Sequence, residues 1–436
     1  MNSNTRYFVI FLLAVAPFLL GCQPKVYLMP APIGIEPHSL VFQQSENNID
    51  SNLLYSLYAT NRLTQENPLK TNNYTIFPSD SLRLGYVVHS VGEKNMNWNE
   101  LQKISLAQER NNDLLIKQIW TREMAQYNIK ENMQQVHEQA DGFYKVINET
   151  LDRMPHKDLL VYVHGANSNF YRATAQGAQL FHFTGHNSII LTFSWPSAEN
   201  ILKYKTDVLH AKQTVLAFSR LLQVLAENTH AQNINIVAYS AGAQVVAPGL
   251  AKLHNLFPEL NTDELKKKFR IDEVYFAAPD TDFAPFIDRY MKFRDIVGRT
   301  TININQNDSV LRFAAIQNGI SRLGRPDPSE LTLEEGKILL EAMETDMLDV
   351  LDVGASEALK LGGAHNSWYN HPWVSNDLLL LLLYKVSPKE RGLVEYRLGN
   401  GATGYYFPKN YDEIIKNILN KGREEYKRHS PEDRND

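Results

Sequence analysis

Five short apolar runs, most of them rich in β-branched residues, recur along the middle of the chain and predict buried strands. They cover residues 159–163, 188–193, 234–239, 273–278 and 300–304. Residues 208–227, between the second and third runs, carry apolar side chains at the spacing of an amphipathic helix. Strands that alternate with helices predict an α/β fold, in which helices cover both faces of a mostly parallel, doubly wound sheet.

The third run ends in Ala238-Tyr239-Ser240-Ala241-Gly242 and leads into a helical segment. This pattern resembles the strand–turn–helix motif G-x-S-x-G, which exposes a nucleophilic serine, with alanine at the first glycine. A helix-capping serine is the alternative interpretation of so short a motif. Pro248 lies in the following helix, which we expect to kink or to end near Ala247 because proline removes a backbone hydrogen bond.

Further motifs surround this serine at the ends of the predicted strands, where parallel sheets hold their chemistry. They occupy residues 164–167, 193–197, 277–280, 307–311, 322–324 and 348–353, together with Tyr204, Asp207 and His365, and with opening strands at 58–62 and 84–86. The set resembles the α/β-hydrolases and, more narrowly, the bacterial DUF900 family of serine-hydrolase-like proteins, over roughly residues 53–383. The resemblance implies the chain order serine, acid, histidine.

A serine nucleophile needs a base that takes its proton. The histidines after the serine are His254, His365, His371 and His429. His365 lies in a glycine-rich loop after the last predicted strand, residues 348–353, where the resemblance places the base. The others fall on the helix after the serine, in a surface loop beside a proline and in a charged tail. We therefore predict His365 as the base, with His371 as the alternative.

The acid that orients this histidine is sought among aspartates at strand ends. Asp308 follows the run that ends at residue 304 and is our first choice. Asp280 and Asp282 follow the preceding run, and some hydrolases draw their acid from there. Asp352 is a third option, although it lies within a predicted strand. A turn aspartate is the alternative interpretation for each of them.

An oxyanion hole needs two donors aimed at the developing negative charge. The backbone N–H of Ala241, at the start of the helix, is predicted as one donor. The second is expected near Ala166, in the loop after the first strand, where small residues permit close approach. We expect His164 to hold this loop and residues 195–197 to shape a pocket wall or the sheet edge.

The N-terminus predicts export and a lipid anchor. Arg6 precedes an apolar run, residues 7–20, which has the length of a signal-peptide core rather than of a membrane span. Residues 19–22, Leu-Leu-Gly-Cys, resemble a lipobox, and Cys22 is the only cysteine of the chain. We predict a signal peptide over residues 1–21, lipidation of Cys22 and, from Gln23, sorting to the outer membrane facing the periplasm; an uncleaved signal anchor is the alternative.

The remaining chain divides by composition. Residues 22–50 are predicted as a tether, 51–390 as the hydrolase domain and 391–436 as an extension with a charged tail. Within the domain, residues 101–150 and 326–345 are expected to be helical insertions, and the second is either a lid or a surface helix.

Composition excludes several classes of function. With 436 residues, 43% of them hydrophobic, the chain can form a large core. A net charge of −5 argues against nucleic-acid binding. The chain has no H-E-x-x-H motif, cysteine pair or phosphate loop, so we expect neither a metal nor another cofactor.

These patterns together predict a membrane-anchored serine hydrolase that cleaves carboxylic esters of a lipid or of another short acyl compound. An amidase, thioesterase or acyltransferase using the same three residues is one alternative. A binding lipoprotein that keeps the fold without turnover is the other.

Overall fold

The computed structural model describes residues 25–36, 51–65, 74–107, 113–131, 133–154, 156–357, 359, 365–397 and 401–429. The strands in these residues are β1 (Val26–Tyr27), β2 (Leu53–Thr64), β3 (Tyr74–Val91), β4 (Leu115–Asn128), β5 (Asp158–Val163), β6 (Ile189–Phe193), β7 (Asn233–Tyr239), β8 (Ile271–Ala277), β9 (Val297–Ile304), β10 (Leu348–Asp352), β11 (Val394–Arg397) and β12 (Thr403–Tyr406). The helices are α1 (Trp98–Ser105), α2 (Met133–Arg153), α3 (Phe170–Phe183), α4 (Tyr204–Asn228), α5 (Ala243–Asn255), α6 (Thr262–Phe269), α7 (Phe283–Phe293), α8 (Ser309–Asn318), α9 (Leu333–Glu344), α10 (Ser367–Asn370), α11 (Pro372–Tyr384) and α12 (Tyr411–His429).

All of these strands belong to one sheet, in the order β1-β4-β3-β2-β6-β5-β7-β8-β9-β10-β12-β11. The strands from β2 to β12 across its middle pair in parallel, whereas β1, β4 and β3 on one side and β11 on the other pair antiparallel. The two faces of the sheet are covered by separate apolar cores. The predicted α/β class, with a mostly parallel sheet between layers of helices, is confirmed.

The register of the central strands aligns their carboxyl ends. Val163 at the end of β5 pairs with Ala238 of β7 and with Phe193 of β6, and Tyr239 pairs with Ala277 of β8. Because the strands are parallel and in register, the loops that follow them emerge along one edge of the sheet. This edge, here called the catalytic edge, consists of the loops after β5, β6, β7, β8, β9 and β10.

The prediction of a helical insertion over residues 101–150 is wrong in its centre. Strand β4 occupies that centre and pairs antiparallel with β3, from Asn128 opposite Ser81 to Ile116 opposite Val91. Its polar residues suit a strand near the sheet's margin, where one face is solvated and only part of the side chains is buried. Helices α1 and α2 flank the strand on either side.

The predicted domain boundaries are also wrong at both ends. Residues 25–36 do not form a free tether, because β1 pairs with β4 and because Leu28 and Met29 are buried in a core. Beyond residue 390, β12 pairs in parallel with β10, and Phe407 is buried. Apolar side chains in both segments complete the core on one face of the sheet. Residues 37–50, Cys22 and the predicted signal peptide lie outside the described residues.

The segment 326–345 contains a short 3-10 turn, Pro328–Glu330, and helix α9. Two neighbouring parallel strands require a connection that crosses a face of the sheet, and α8 and α9 form the connection between β9 and β10. Leu339 and Met343 of α9 pack against the core of that face. The helix therefore covers the sheet as part of its own connection.

Helix α5 continues through Pro248 without the expected break near Ala247. The residues around the proline are buried, including Val245, Val246 and Leu250, and α5 packs closely against α4 and α7. Tertiary packing thus keeps the helix intact despite the lost hydrogen bond. No helix in the described part of the chain has both the length and the apolar character of a membrane span.

Candidate active site

Ser240 occupies a sharp turn between β7 and α5. Its φ of +51° lies in the left-handed region, which a residue with a side chain rarely adopts. Gly242, two residues later, passes so close to β5 that a Cβ atom there would lie 2.6 Å from the carbonyl oxygen of Val163. On the other side of the serine, Ala238 is fully buried between β5 and β8. Small residues at these two positions therefore permit the strained turn that presents Ser240 at the catalytic edge.

Three side chains from separate loops meet at this turn. The Nε2 atom of His365 lies 2.6 Å from Ser240 Oγ, and its Nδ1 atom lies 2.8 Å from Asp308 Oδ2. Ser240 and Asp308 are buried, and His365 is partly buried. Each ring nitrogen of the histidine thus contacts one partner, which is the geometry of a serine nucleophile, its base and an orienting acid.

Asp308 uses its two carboxylate oxygens for different purposes. Its Oδ1 atom accepts hydrogen bonds of 2.9 Å from the backbone N–H groups of Val310 and Leu311, which caps helix α8. Its Oδ2 atom remains for His365 and faces the Nδ1 atom of that ring. With the ring proton on Nδ1, the Nε2 lone pair faces the hydroxyl of Ser240, so the histidine can take its proton.

The alternative acids do not contact His365. Asp280 and Asp282, at the end of β8, both pair with Arg322, whose Nε atom donates to Asp280 Oδ1 at 2.6 Å. Asp352, at the end of β10, accepts from the Tyr396 hydroxyl and from the backbone N–H of residue 355, each at 2.9 Å. These acids therefore stabilise loops, and Asp308 alone among the predicted candidates contacts the histidine.

The other histidines also lie away from Ser240. His371 caps helix α11 and accepts from the backbone N–H of Trp373. His254 lies on α5, with its Nε2 atom 3.7 Å from a carboxylate oxygen of Asp295. The side chain of His429 lies outside the described residues.

His164, at the end of β5, is a structural residue of the catalytic edge. Its ring nitrogens contact the carbonyl oxygens of Gly165 and Trp195, at 2.7 and 3.1 Å, and the ring stacks on the Trp195 indole. Trp195 in turn donates from Nε1 to the His164 carbonyl at 2.7 Å. Burial lowers the pKa of His164 to about 3, and the contacts with the two carbonyl oxygens oppose this shift. These contacts tie the loop after β5 to the loop after β6.

The loop after β5 passes directly against the serine. A Cβ atom at Gly165 would lie 2.9 Å from Ser240 Cβ, so only glycine lets the backbone approach this closely. The next residue is Ala166, whose backbone N–H was predicted as an oxyanion donor. The other predicted donor, the N–H of Ala241, belongs to the 3-10 turn that begins at Ser240. The two predicted donors thus flank the serine from two different loops.

Comparison with known proteins identifies the family. Residues 139–379 match the family described as alpha/beta hydrolase of unknown function (DUF900). The chain belongs to the DUF900 family. No curated protein sequence matches this chain.

Two solved esterase structures have low similarity to this DUF900 protein. One is Thermogutta terrifontis esterase 2 phosphoramylated by tabun, with 11% identity, a TM-score of 0.29 and coverage of 52% of this chain and 81% of that chain. Another is esterase B from Lactobacillus rhamnosis, with 10% identity, a TM-score of 0.28 and coverage of 63% of this chain and 80% of that chain.

Asp207 of this DUF900 protein is a site residue to which the sequence alone assigned no role. It is buried on α4, and its Oδ2 atom accepts from the backbone N–H of Asn167 at 3.2 Å. Its Oδ1 atom accepts from the backbone N–H of Ala198, in the loop after β6. Burial raises the pKa of Asp207, and the two backbone hydrogen bonds oppose this rise. The carboxylate therefore holds the loop that contains Ala166. The sequence pointed to Asp207 only through its membership of the set of motifs that resemble the family.

Arg62 was missed in the same way. This fully buried arginine of β2 donates from Nη2 to the carbonyl oxygen of Ser168 at 2.7 Å and from Nε to Ser194 Oγ at 3.2 Å. These hydrogen bonds connect the loop after β5 to the loop after β6. The signal for Arg62 in the sequence was a cation within a predicted strand, because a buried arginine is stable only where hydrogen bonds compensate for the loss of water. Within the described residues, no group of three or more His, Cys, Asp or Glu side chains is placed to hold a metal ion.

Proposed function

We propose that this DUF900 protein is a serine hydrolase that cleaves carboxylic esters through an acyl-enzyme. The observation that carries the proposal is the hydrogen-bonded series from Ser240 through His365 to Asp308, in which each histidine nitrogen has one partner. The series lies at the carboxyl ends of parallel strands, the usual place for chemistry in such sheets. The strained turn at Ser240 adds support, because backbone strain of this kind clusters at functional sites.

The proposed first step is attack by Ser240 Oγ on the ester carbonyl carbon. His365 Nε2 takes the hydroxyl proton as the new C–O bond forms, and the carbonyl oxygen becomes negatively charged. The backbone N–H groups of Ala241 and Ala166 stabilise that charge; the loss of one such donor typically costs about 10²–10³-fold in kcat. His365 then gives the proton to the leaving alcohol as the original ester bond breaks.

In the second half of the reaction, water takes the place of the alcohol. His365 removes a proton from the water, which attacks the acyl group on Ser240 and releases a carboxylic acid. The proton returns to Ser240 Oγ. Throughout, the Asp308 carboxylate stabilises the imidazolium form of His365 and keeps the ring in one orientation.

We also propose that lipidated Cys22 anchors the protein to the outer membrane, on its periplasmic side. The support is the lipobox pattern at residues 19–22 and the solitary cysteine. Strand β1 begins at Val26, four residues after Cys22, and four residues of chain span at most about 14 Å. An anchor this short would hold the domain against the bilayer and favour an ester of a membrane lipid as substrate.

The test is covalent labelling by a fluorophosphonate probe, which reacts with activated serines. Labelling of the wild type should vanish in Ser240→Ala and fall sharply in His365→Ala. His254→Ala is the matched control, because that histidine lies on α5 away from the serine, and its labelling should equal that of the wild type. Absence of labelling in well-folded wild-type protein would leave a non-catalytic binding protein as the better hypothesis.

Labelling alone does not separate ester hydrolysis from the other acyl-transfer reactions. A panel of p-nitrophenyl esters, matched anilides and matched thioesters makes that separation. We expect the esters to have the highest kcat/KM. A higher value for anilides or thioesters would replace the proposed bond type while keeping the serine mechanism.

A further inference from the structure

A partly open cavity of about 1020 Å³ lies beside α10, the helix that begins two residues after His365. It is lined by the N-terminal segment 25–36, residues 106, 107 and 113, helix α3, the junction of α10 and α11, and the start of α12. Neither Ser240 nor His365 is among the described residues that line it. The cavity is therefore separate from the candidate active site, and we refer to it as the α3 cavity.

One face of helix α3 lines this cavity with polar side chains. Arg172, Gln176 and Gln179 are spaced four and three residues apart, which places them on one stripe of the helix. All three line the α3 cavity. The two glutamines are almost completely buried, and Arg172 is half-buried.

The guanidinium of Arg172 has no partner among the described residues. Its backbone N–H bonds to the Asn169 side chain, but its side chain makes no hydrogen bond or ion pair with the described part of the chain. Withdrawing an arginine from water is unfavourable unless hydrogen bonds or an opposite charge compensate. An unpaired, half-buried guanidinium that faces a cavity is thus ready to bind an anion.

The two glutamines add further donors. Gln176 Oε1 accepts from the Tyr162 hydroxyl at 2.9 Å, and Gln179 Oε1 accepts from the backbone N–H of Met29 at 2.5 Å. Their Nε2 groups donate to no described residue. The oxygen of each amide already accepts one hydrogen bond, whereas both N–H donors of each amide have no described acceptor, so the groups most available to a ligand are N–H donors.

The rest of the lining combines apolar side chains with a mixed rim. Leu28, Ile33 and Trp373 contribute apolar surface. The exposed charges at the rim are Lys25, Asp113, Asp412 and Lys416, and half-buried Glu36 also lines the cavity. The exposed charges balance in sign, and Glu36 is opposite in charge to Arg172, so the N–H groups of the stripe on α3, rather than an excess of positive charge, make the inner part of the cavity a site for an anion.

We propose that the α3 cavity binds an amphiphilic anion, whose carboxylate or phosphate head group contacts Arg172 and Gln176 and whose apolar part lies against Leu28, Ile33 and Trp373. The planar guanidinium matches either head group, because both present two oxygens to its paired N–H groups. A volume of about 1020 Å³ accommodates such a head group together with a medium-length chain.

The cavity also adjoins the residues that hold the catalytic base. Tyr369 lines it and lies in α10, which begins two residues after His365. The Tyr369 ring contacts the ring of Tyr239, the residue before Ser240, with 5.8 Å between centroids. Burial raises the pKa of Tyr239 far above its usual value, and the nearby charge of Arg172 opposes that rise. The α3 cavity therefore adjoins the helix that follows His365.

The test measures binding rather than turnover. Octanoate, octyl phosphate and octanol are titrated calorimetrically into the full chain carrying Ser240→Ala, in non-ionic detergent, with detergent alone as the blank. Both anions should bind at least about tenfold more tightly than octanol, because octanol carries no charge for Arg172. Since the serine is absent, the result stands even if the proposed hydrolase activity fails its own test.

Substitutions then locate the site. Arg172→Gln should weaken the binding of both anions by about tenfold or more and leave octanol unchanged. Lys416→Gln is the matched control, because it removes an exposed cation from the rim, and it should change the affinity by less than about twofold. Arg172→Lys keeps the charge but loses the paired N–H groups, so it should bind the anions more weakly than the wild type and more tightly than Arg172→Gln. If Arg172→Gln does not fold, wild-type affinity in Arg172→Lys would overturn the proposal.

The relative affinities of the two anions identify the class of ligand. Tighter binding of octyl phosphate indicates a phosphate-bearing lipid, and tighter binding of octanoate indicates a free carboxylic acid. Equal binding of octanol and the anions would overturn the proposal, as would unchanged binding in well-folded Arg172→Gln.

Discussion

His365 Nε2 and Ser240 Oγ lie 2.6 Å apart, although 125 residues separate them in the chain. The serine follows β7, and the histidine follows β10, which lies three strands away from β7 in the sheet. Asp308, after β9, completes the series from between them. The contact exists because parallel strands in register deliver their following loops to one edge.

Asp308→Asn should lower kcat by about 10³–10⁴-fold and change stability little. An amide cannot hold His365 in the required tautomer, whereas asparagine remains a good cap for helix α8. Steady-state ester hydrolysis and urea unfolding measure the two effects.

Asp280→Asn is the matched comparison, because it should give the opposite result. It removes the buried one of the two carboxylates that pair with Arg322 and leaves the partly exposed Asp282, so we expect a loss of about 1–3 kcal/mol in the free energy of unfolding. The kcat of the folded protein should stay within about tenfold of the wild type, since Asp280 does not contact His365. A larger fall in kcat for Asp280→Asn than for Asp308→Asn would reverse the assignment of the acid.

Asp207→Asn should lower kcat by about 10–100-fold with little change in KM. One of its oxygens becomes an NH2 group facing a backbone N–H, so the loop that contains Ala166 loses its support. The split between kcat and KM is the readout that a purely structural role would not produce. Asp288→Asn, which changes an exposed carboxylate on α7, should leave both constants unchanged. Equal losses in kcat for the two variants would contradict a positioning role for Asp207.

Gly165→Ala should reduce kcat by about 100-fold, because its new methyl group would lie 2.9 Å from Ser240 Cβ and displace the serine. Gly336→Ala is the control: nothing lies within 4 Å of the added atom on helix α9. That variant should keep full activity and gain about 0.5–1 kcal/mol in the free energy of unfolding. Full activity in Gly165→Ala would mean that the backbone of this loop does not constrain the serine.

Glu273→Gln should reduce the pH dependence of stability. Burial raises the pKa of Glu273 to about 7 and that of Asp349 to about 6, while Arg299 opposes both shifts. Since the pKa of Glu273 in the folded state exceeds its ordinary value of 4.5, the native protein binds more protons between these values. The contribution of Glu273 to stability therefore falls as pH rises from about 4.5 to about 7.

The measurement is urea unfolding at pH 5, 6, 7 and 8, conditions chosen to span about this window. At pH 8 the variant should be more stable than the wild type by about 1–3 kcal/mol, because glutamine carries no buried charge. At pH 5 the difference should shrink toward zero. Parallel pH profiles for the two proteins would show that Glu273 titrates normally.

Cys22→Ser should release the protein from the membrane fraction or block its processing, because the hydroxyl cannot receive the proposed lipid. Fractionation, together with metabolic labelling by a fatty-acid analogue, measures the effect. The variant still contains the folded domain, so activity toward soluble esters should persist. Retention of label and of membrane association without the cysteine would exclude this anchor.

The nature and order of the site residues were predictable from the chain. Serine, aspartate and histidine each follow an apolar run, and strand ends converge in any parallel sheet, so Ser240, Asp308 and His365 could be placed at one edge. The choice between Asp308 and Asp280 was not decidable in this way, because both follow strands. It depends on Arg322, whose pairing with Asp280 arises only when the loops after β8 and α8 pack together.

Residues outside the central strands were the least predictable. The stretch around β4 has a polar composition that favours a helix, but pairing with β3 overrides this local preference. Residues 25–36 look like a linker because they contain prolines, yet their apolar side chains complete a core formed by distant helices. Arg172 carries no local signal at all, because its significance depends on the cavity that other segments close around it.

The sequence by itself predicted the α/β class and the turn at Ser240, because strand periodicity and turn chemistry are properties of neighbouring residues, and the family resemblance indicated His365 as the base. Only the tertiary structure decided which aspartate contacts His365, which side chains hold the loop that contains Ala166, and where Arg172, unpaired among the described residues, faces a cavity. Those features depend on contacts between residues far apart in the chain, and such contacts form only when the sheet and its helices bury their apolar surfaces together.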